Sequence, residues 1–286
     1  MSVPCWRFTM GDNYCKQLAP LFIKPARDLT QAEAFAVLSH LQSLGEIGLY
    51  DPKQSMSAPR GQMRVATKMA GVEYWRASGK NGASTFGSVG AYKTEDFYPT
   101  PQFAVVLYRL ALRLKESWGA TKIVWGGIGQ GSGKNPVDCH MKGHCIDFYG
   151  ATTSVGGVFD VKRDWYLRPV YLKDGTPHPA NTKTGFDYDR WGTDTHTSYR
   201  LLVSKDDQVM FPADKDYYNP RAKDFFLDVY SFVAEECAFS SNDISPAAFK
   251  GGLNMKAGFT VHPDYPTVLR FPHMDHMHFQ LGQTFA

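Results

Sequence analysis

The chain is short of the features that mark most specialised protein classes. It has 5 cysteines in 286 residues, too few and too scattered for a disulfide framework in a chain this long. No apolar run approaches the ~18–20 residues of a membrane span; the longest, Phe103–Leu107, is soon followed by Arg109 and Arg113. The net charge is only +3, with both signs spread along the chain, which argues against the concentrated basic surface of a nucleic-acid-binding protein. A mildly basic surface still favours meeting an anionic polymer such as a cell wall. The stretch 1–20 has neither the basic start, the apolar run nor the small-residue cleavage site of a signal peptide, so synthesis and first residence in the cytoplasm are expected. Internal repeats and low-complexity tracts are absent too.

What remains is a globular composition, 43% hydrophobic and 21% charged, in a length that suits one large domain or two small ones. The odd cysteine count leaves at least one thiol free within a single chain. Free, mostly buried thiols are the plain expectation for Cys5, Cys15, Cys139, Cys145 and Cys237. A Cys139–Cys145 bridge is the alternative.

Three helices are legible. Thr30-Gln31-Ala32-Glu33 forms a capping box ahead of Phe35, Leu38 and Leu41, with Gly45 as the stop. Thr100 and Pro101 open a second helix that runs to Trp118 and ends at Gly119. A third is expected over 221–239, with Phe225, Val229, Phe232 and Val233 on one face. The segment 51–99 reads as loops and short strands whose aromatics call for burial. Lys122–Trp125, Gly143–Tyr149 and the last residues before Leu281 read as strands. Strands and helices interleave without a regular βαβ beat, so the expected class is α+β: a small, mostly antiparallel sheet flanked by helices.

The run Gly126-Gly127-Ile128-Gly129-Gln130-Gly131-Ser132-Gly133-Lys134 imitates a phosphate cradle but fails as one. Ile128 stands where a P-loop requires its first glycine, and Asn135 follows Lys134 where Ser or Thr is needed. Ser132 breaks the dinucleotide fingerprint as well. These glycines instead let a loop pass close to something.

Five of the nine histidines fall in two short windows, 138–147 (His140, His144) and 273–278 (His273, His276, His278). On a strand, residues two apart share a face, ~7 Å apart at their Cα atoms, so His276 and His278 project together. His140 and Asp147 are seven positions apart; a turn at Gly143 folds a loop carrying His140 back over a strand carrying Asp147. Two imidazoles and a carboxylate leave a fourth zinc position open, the pattern of a catalytic site. A closed structural site drawing on Cys139 and Cys145, or no metal at all, are the competing readings. His144 is out of phase with Asp147 and is expected to point away from the site. Asp138 suits a turn cap or an acceptor behind a ligand imidazole.

The pattern His140-x-x-Gly143-x-x-x-Asp147, followed by the late His276-x-His278, resembles the zinc peptidases that group lysostaphin-type enzymes, D-Ala-D-Ala peptidases and the hedgehog signalling domain. The run His273-x-x-His276-Met277-His278 is most similar to the penicillin-insensitive murein endopeptidases. The chain departs from the D-Ala-D-Ala branch in carrying Asp138 and Cys145 where that branch has Ser and Ala, and Gln130 where it places an Arg, which disfavours a carboxypeptidase. The resemblance implies Zn2+ held by His140, Asp147 and His278. It makes His276 the residue that orients or deprotonates the attacking water, with His273 assisting; Asp275 is the competing base. It divides the chain into an N-terminal segment, 1–99, for packing, docking or delivery, and a zinc peptidase domain, 100–286, with the metal on the sheet face.

The activity so implied is hydrolysis of amide bonds in peptidoglycan stems or cross-bridges, by a phage lysin or a delivered antibacterial effector. A delivered effector would bring a delivery apparatus and an immunity protein as partners; nucleic acid and a membrane span are not expected. A zinc-containing binding or structural module of the same fold, without hydrolysis, is the alternative.

Overall fold

A computed structural model describes residues 12–49, 61–78, 84–86, 89–94, 96–128, 139–164, 220–237 and 276–281. In chain order the elements are α1 (Asp12–Ile23), α2 (Gln31–Ser43), β1 (Ile47–Leu49), β2 (Val65–Met69), β3 (Val72–Ser78), β4 (Ser84–Phe86), β5 (Val89–Lys93) and β6 (Asp96–Phe97). They continue with α3 (Pro101–Trp118), β7 (Ala120–Gly126), α4 (Cys139–Lys142), β8 (Cys145–Thr153), β9 (Val158–Asp160), α5 (Val161–Asp164), α6 (Pro220–Cys237) and β10 (Met277–Gln280). The class is α+β, as expected, with a larger sheet than the sequence suggested. Among the described residues, ten strands form one sheet in the order β1-β2-β3-β7-β8-β10, with β4, β5, β6 and β9 paired off this path. Only the β3–β7 pair is parallel among them.

The helix ends follow the capping chemistry. The Thr30 amide donates to Glu33 Oε2 at 2.7 Å and the Glu33 amide to Thr30 Oγ1 at 3.2 Å, closing the capping box of α2. Thr100 Oγ1 accepts the Phe103 amide at the start of α3, and Gly119, at φ 67°, ends it by donating to the Lys115 carbonyl. Most of α3 between Pro101 and Leu114 is buried, because the helix lies across β2, β3, β7 and β8 on one side and meets α2 and α6 on the other.

The two arginines that interrupt the apolar run of α3 fasten the other helices to it. Arg109 donates to Glu236 of α6 at 2.7 Å and to the carbonyls of Leu21, Phe22 and Lys24 at 2.8–3.1 Å. It thereby satisfies carbonyls at the C-terminal end of α1 that have no partner within a helix. Glu236 Oε2 also accepts the Ala26 amide at 2.8 Å. Arg113 Nε bonds Asp228 of α6 at 2.9 Å, and Trp118 Nε1 takes the other oxygen of that carboxylate at 2.9 Å. The sheet and its helix-side core run across position 99 without a break, since Val65, Val72 and Tyr74 share one cluster with Phe148, Phe225 and Phe279.

Strand β8 contains an irregularity. Trp125 of β7 pairs with Phe148 and Val124 with Gly150, so Tyr149 is an extra residue in β8. Such a bulge shifts the alternation of side chains by one: Ile146 and Phe148 lie in the helix-side core before it and Ala151 after it. Gly150 has φ 140°, and a Cβ there would overlap the Phe159 carbonyl oxygen across the strand pair.

Candidate metal centre

The sheet has two chemically different faces. Ile123 and Trp125 of β7, Ile146 and Phe148 of β8, and Met277 and Phe279 of β10 all enter the helix-side core. Strand alternation therefore assigns Gly126, Asp147 and position 278 to the opposite face. On that face Phe86, Ala91 and Val124 form a second apolar cluster, with Tyr149, Trp75, Ala77 and Val158 packed against it. Burying the apolar alternates under helices leaves the polar alternates of the same strands free for chemistry.

Asp147 sits at the centre of this arrangement. Its cross-strand neighbour on β7 is Gly126 and on β10 is His278; residues directly opposite in an antiparallel pair share a face, with Cβ atoms ~4.5–5.5 Å apart. On the side of Asp147 toward β7 the Tyr149 ring lies over Gly126, where a Cβ would come within 3.2 Å of the ring and 3.7 Å of Asp147 Cβ. His140 arrives on the one-turn helix α4, and the chain returns into β8 through Gly143 at φ 74°. The result is the fold-back expected from the spacing: His140 Nε2 lies 3.5 Å from Asp147 Oδ1. His276, immediately before β10, places its Nε2 3.3 Å from the same oxygen and is itself 8% exposed. Its ring also meets that of Tyr149, with centroids 5.3 Å apart.

The orientation of His140 is set by the glycine loop. Its Nδ1 is hydrogen-bonded to the Gly127 carbonyl. A carbonyl can only accept, so Nδ1 carries a proton, and Nε2 is the nitrogen that faces Asp147. Gly127 adopts φ 66°, and a Cβ there would overlap the imidazole. The object that the glycines let the chain approach is thus the His140 ring. Neither Gly126, Gly127 nor Tyr149 was singled out as a site residue by the sequence. The pairing of Gly126-Gly127 at a strand end and the Asp147-x-Tyr149 spacing were the signals present.

Two imidazole nitrogens thus converge on one carboxylate oxygen, and imidazole and carboxylate are the donor types that zinc-like cations take. The backbone-held tautomer of His140 also matches the way ligating histidines are oriented. Among the described residues, no group of three or more His, Cys, Asp or Glu is placed so that it could hold a metal ion. The His278 side chain, and His273 and Asp275 altogether, lie outside the described residues, as do Asp138 and Gln130. His144 contributes its carbonyl to the site's frame by accepting the Leu281 amide at 2.8 Å just past β10.

The expectation of free thiols holds for one described cysteine and fails for another. Cys237 is free and fully buried in α6, where burial and then the Glu236 charge hold its thiol far above the ordinary range. Cys145, the first residue of β8, is disulfide-bonded and fully buried. A disulfide depends on three-dimensional proximity, which cysteine counting does not report. No helix among the described residues is long and apolar enough to cross a membrane. No family model, curated protein or solved structure matches the chain.

Proposed function

We propose that the chain is a zinc-dependent peptidoglycan endopeptidase. The observation that carries this reading is the convergence of His140 Nε2 and His276 Nε2 on Asp147 Oδ1, with His278 paired directly across from Asp147. In this reading His140, Asp147 and His278 hold the ion, and His276 and His273 serve the reaction beside it, with Asp275 as the competing base. When bound, zinc supplies Lewis acidity to the scissile carbonyl and lowers the pKa of a coordinated water toward ~7.

The chain's own groups would do the rest. His276 takes a proton from the attacking water and passes it to the leaving amine as the C–N bond breaks, while His273 steadies the developing oxyanion. The Gly127 carbonyl keeps His140 in one tautomer throughout. Beside Asp147, Tyr149 covers Gly126 and packs with Val124 into an apolar wall of the site. The mildly basic surface favours an anionic wall polymer.

The test has two steps. Elemental analysis after chelator-free purification is expected to give about one zinc per wild-type chain and almost none in His140→Ala or His278→Ala. Digestion of purified peptidoglycan, read by mass spectrometry of released muropeptides, is expected to show cleaved stem or cross-bridge amides. Absence of zinc from folded wild type overturns the metal reading. Zinc without any cleavage gives the site to a non-hydrolytic binding or structural module instead.

A further inference from the structure

We propose that Cys145 is joined to Cys139, and that this bond clamps the His140 turn onto Asp147 so that the site is assembled only in the oxidised protein. The clamp is a property of the fold; its consequence for metal binding rests on the reading of His140 and Asp147 as ligands.

Cys145 is disulfide-bonded and Cys237 is free, which leaves Cys5, Cys15 and Cys139 as partners for Cys145. A disulfide requires Cα atoms within ~7 Å of each other. Cys15 lies in α1, which packs on α2 and is held by Arg109 of α3, on the helix side of the sheet. Cys145 shares the parity of Asp147, on the other side. The sheet therefore stands between Cys15 and Cys145. Cys139 opens α4, and the chain reaches Cys145 within six steps by a path that doubles back: the Gly143 amide donates to the His140 carbonyl at 3.1 Å, and His140 meets Asp147. Cys5 lies outside the described residues and is tested below, whereas the local path brings the backbone of Cys139 beside the start of β8 without help from any distant element.

The need for a clamp follows from the size of α4. A helix of four residues cannot stabilise itself, because the first turn fixes several residues for a single hydrogen bond. The Thr100 amide on the Gly143 carbonyl (2.7 Å) and the Gly127 carbonyl on His140 hold the turn from outside. A covalent bond across its base removes the remaining freedom. Forming it takes two protons and two electrons from the two thiols, which a low-molecular-weight or protein disulfide accepts by exchange, becoming two thiols itself. In a reducing cytoplasm the bond stays open and the turn is loose; in an oxidising compartment outside it closes. A wall-degrading enzyme would then be held slack where it is made.

The experiment uses the full chain. Free thiols are alkylated without reduction, and the digest is mapped by mass spectrometry. A Cys139–Cys145 linked peptide is expected; alkylated Cys145, or Cys145 linked to Cys5 or Cys15, overturns the pairing. Hydrogen exchange of amides 140–144 is then followed in metal-free protein, oxidised, reduced, and as the Cys139→Ser/Cys145→Ser variant checked for fold by circular dichroism. Exchange faster by about tenfold or more in the last two supports the clamp, and unchanged exchange overturns it. Zinc affinity by chelator competition is expected to fall ~10–100-fold on reduction. Oxidised protein that passes the first two tests and binds no zinc keeps the clamp and sinks the metal reading instead.

Discussion

The Gly127 carbonyl accepts the Nδ1 hydrogen of His140 across a gap of thirteen residues. This single bond decides which imidazole nitrogen faces Asp147. Gly127→Ala would place a methyl group in the ring's position and force a left-handed backbone on a residue with a Cβ. The backbone strain alone costs about 1–2 kcal/mol. With His140 as a zinc ligand, as proposed, displacing the ring is expected to weaken zinc binding ~10–100-fold. Chelator competition and urea titration on the same samples separate the two effects, because an equally destabilising change away from the site leaves zinc affinity unaltered.

Gly150 allows the bulge in β8. A Cβ at this position would overlap the Phe159 carbonyl oxygen of β9, at a φ that side-chain-bearing residues rarely adopt. Overpacking against backbone, which cannot rotate away, should make Gly150→Ala cost about 3 kcal/mol or more. A urea midpoint close to that of wild type would show that β9 can move aside.

The Arg109–Glu236 pair is largely withdrawn from water, with side chains 12% and 11% exposed. Removing one charge strands the other, together with the carbonyls of Leu21, Phe22 and Lys24 that Arg109 serves. Arg109→Met and Glu236→Leu are each expected to destabilise by about 3–5 kcal/mol. The double variant should lose less than the sum, because neither charge is then left alone. Additive losses in denaturant titrations would refute the coupling.

His40 is 3% exposed in α2, and burial holds its pKa below the ordinary histidine value of 6.5. The unfolded chain therefore binds a proton at a higher pH than the folded one does. Stability is full above about pH 6.5 and declines as pH falls from there toward the lowered folded value. Unfolding midpoints of wild type and His40→Gln, measured across pH 5–8, should converge as pH is lowered into this window. A constant difference between the two over that range would rule out the effect.

Sequence and structure agree where the signal is local. Thr30 with Glu33, Thr100 with Pro101, and Gly45 and Gly119 at the ends mark α2 and α3 because capping satisfies backbone groups within a few residues. The last helix, expected over 221–239, spans Pro220–Cys237. The approach of His140 to Asp147 was legible from Gly143. The strands between 51 and 99 were not legible individually. Val72–Ser78 is half-buried over much of its length and pairs in parallel with a strand more than forty residues later, so its neighbours are fixed by tertiary packing. The Gly127–His140 bond, the bulge at Tyr149 and the Cys145 disulfide share that limit. Each depends on which segments meet in space.

The extra residue at Tyr149 also works as a mechanical joint. Up to Phe148, β8 is in register with β10 and holds Asp147 opposite His278; from Gly150 onward it is in register with β9. The two halves run in opposite phase while β7 pairs with both of them, so the residue at the bulge sets which face the Asp147 half presents relative to the β9 half. A one-residue slip of the near half would turn the Asp147 carboxylate into the helix-side core, under the helices that cover Ile146 and Phe148.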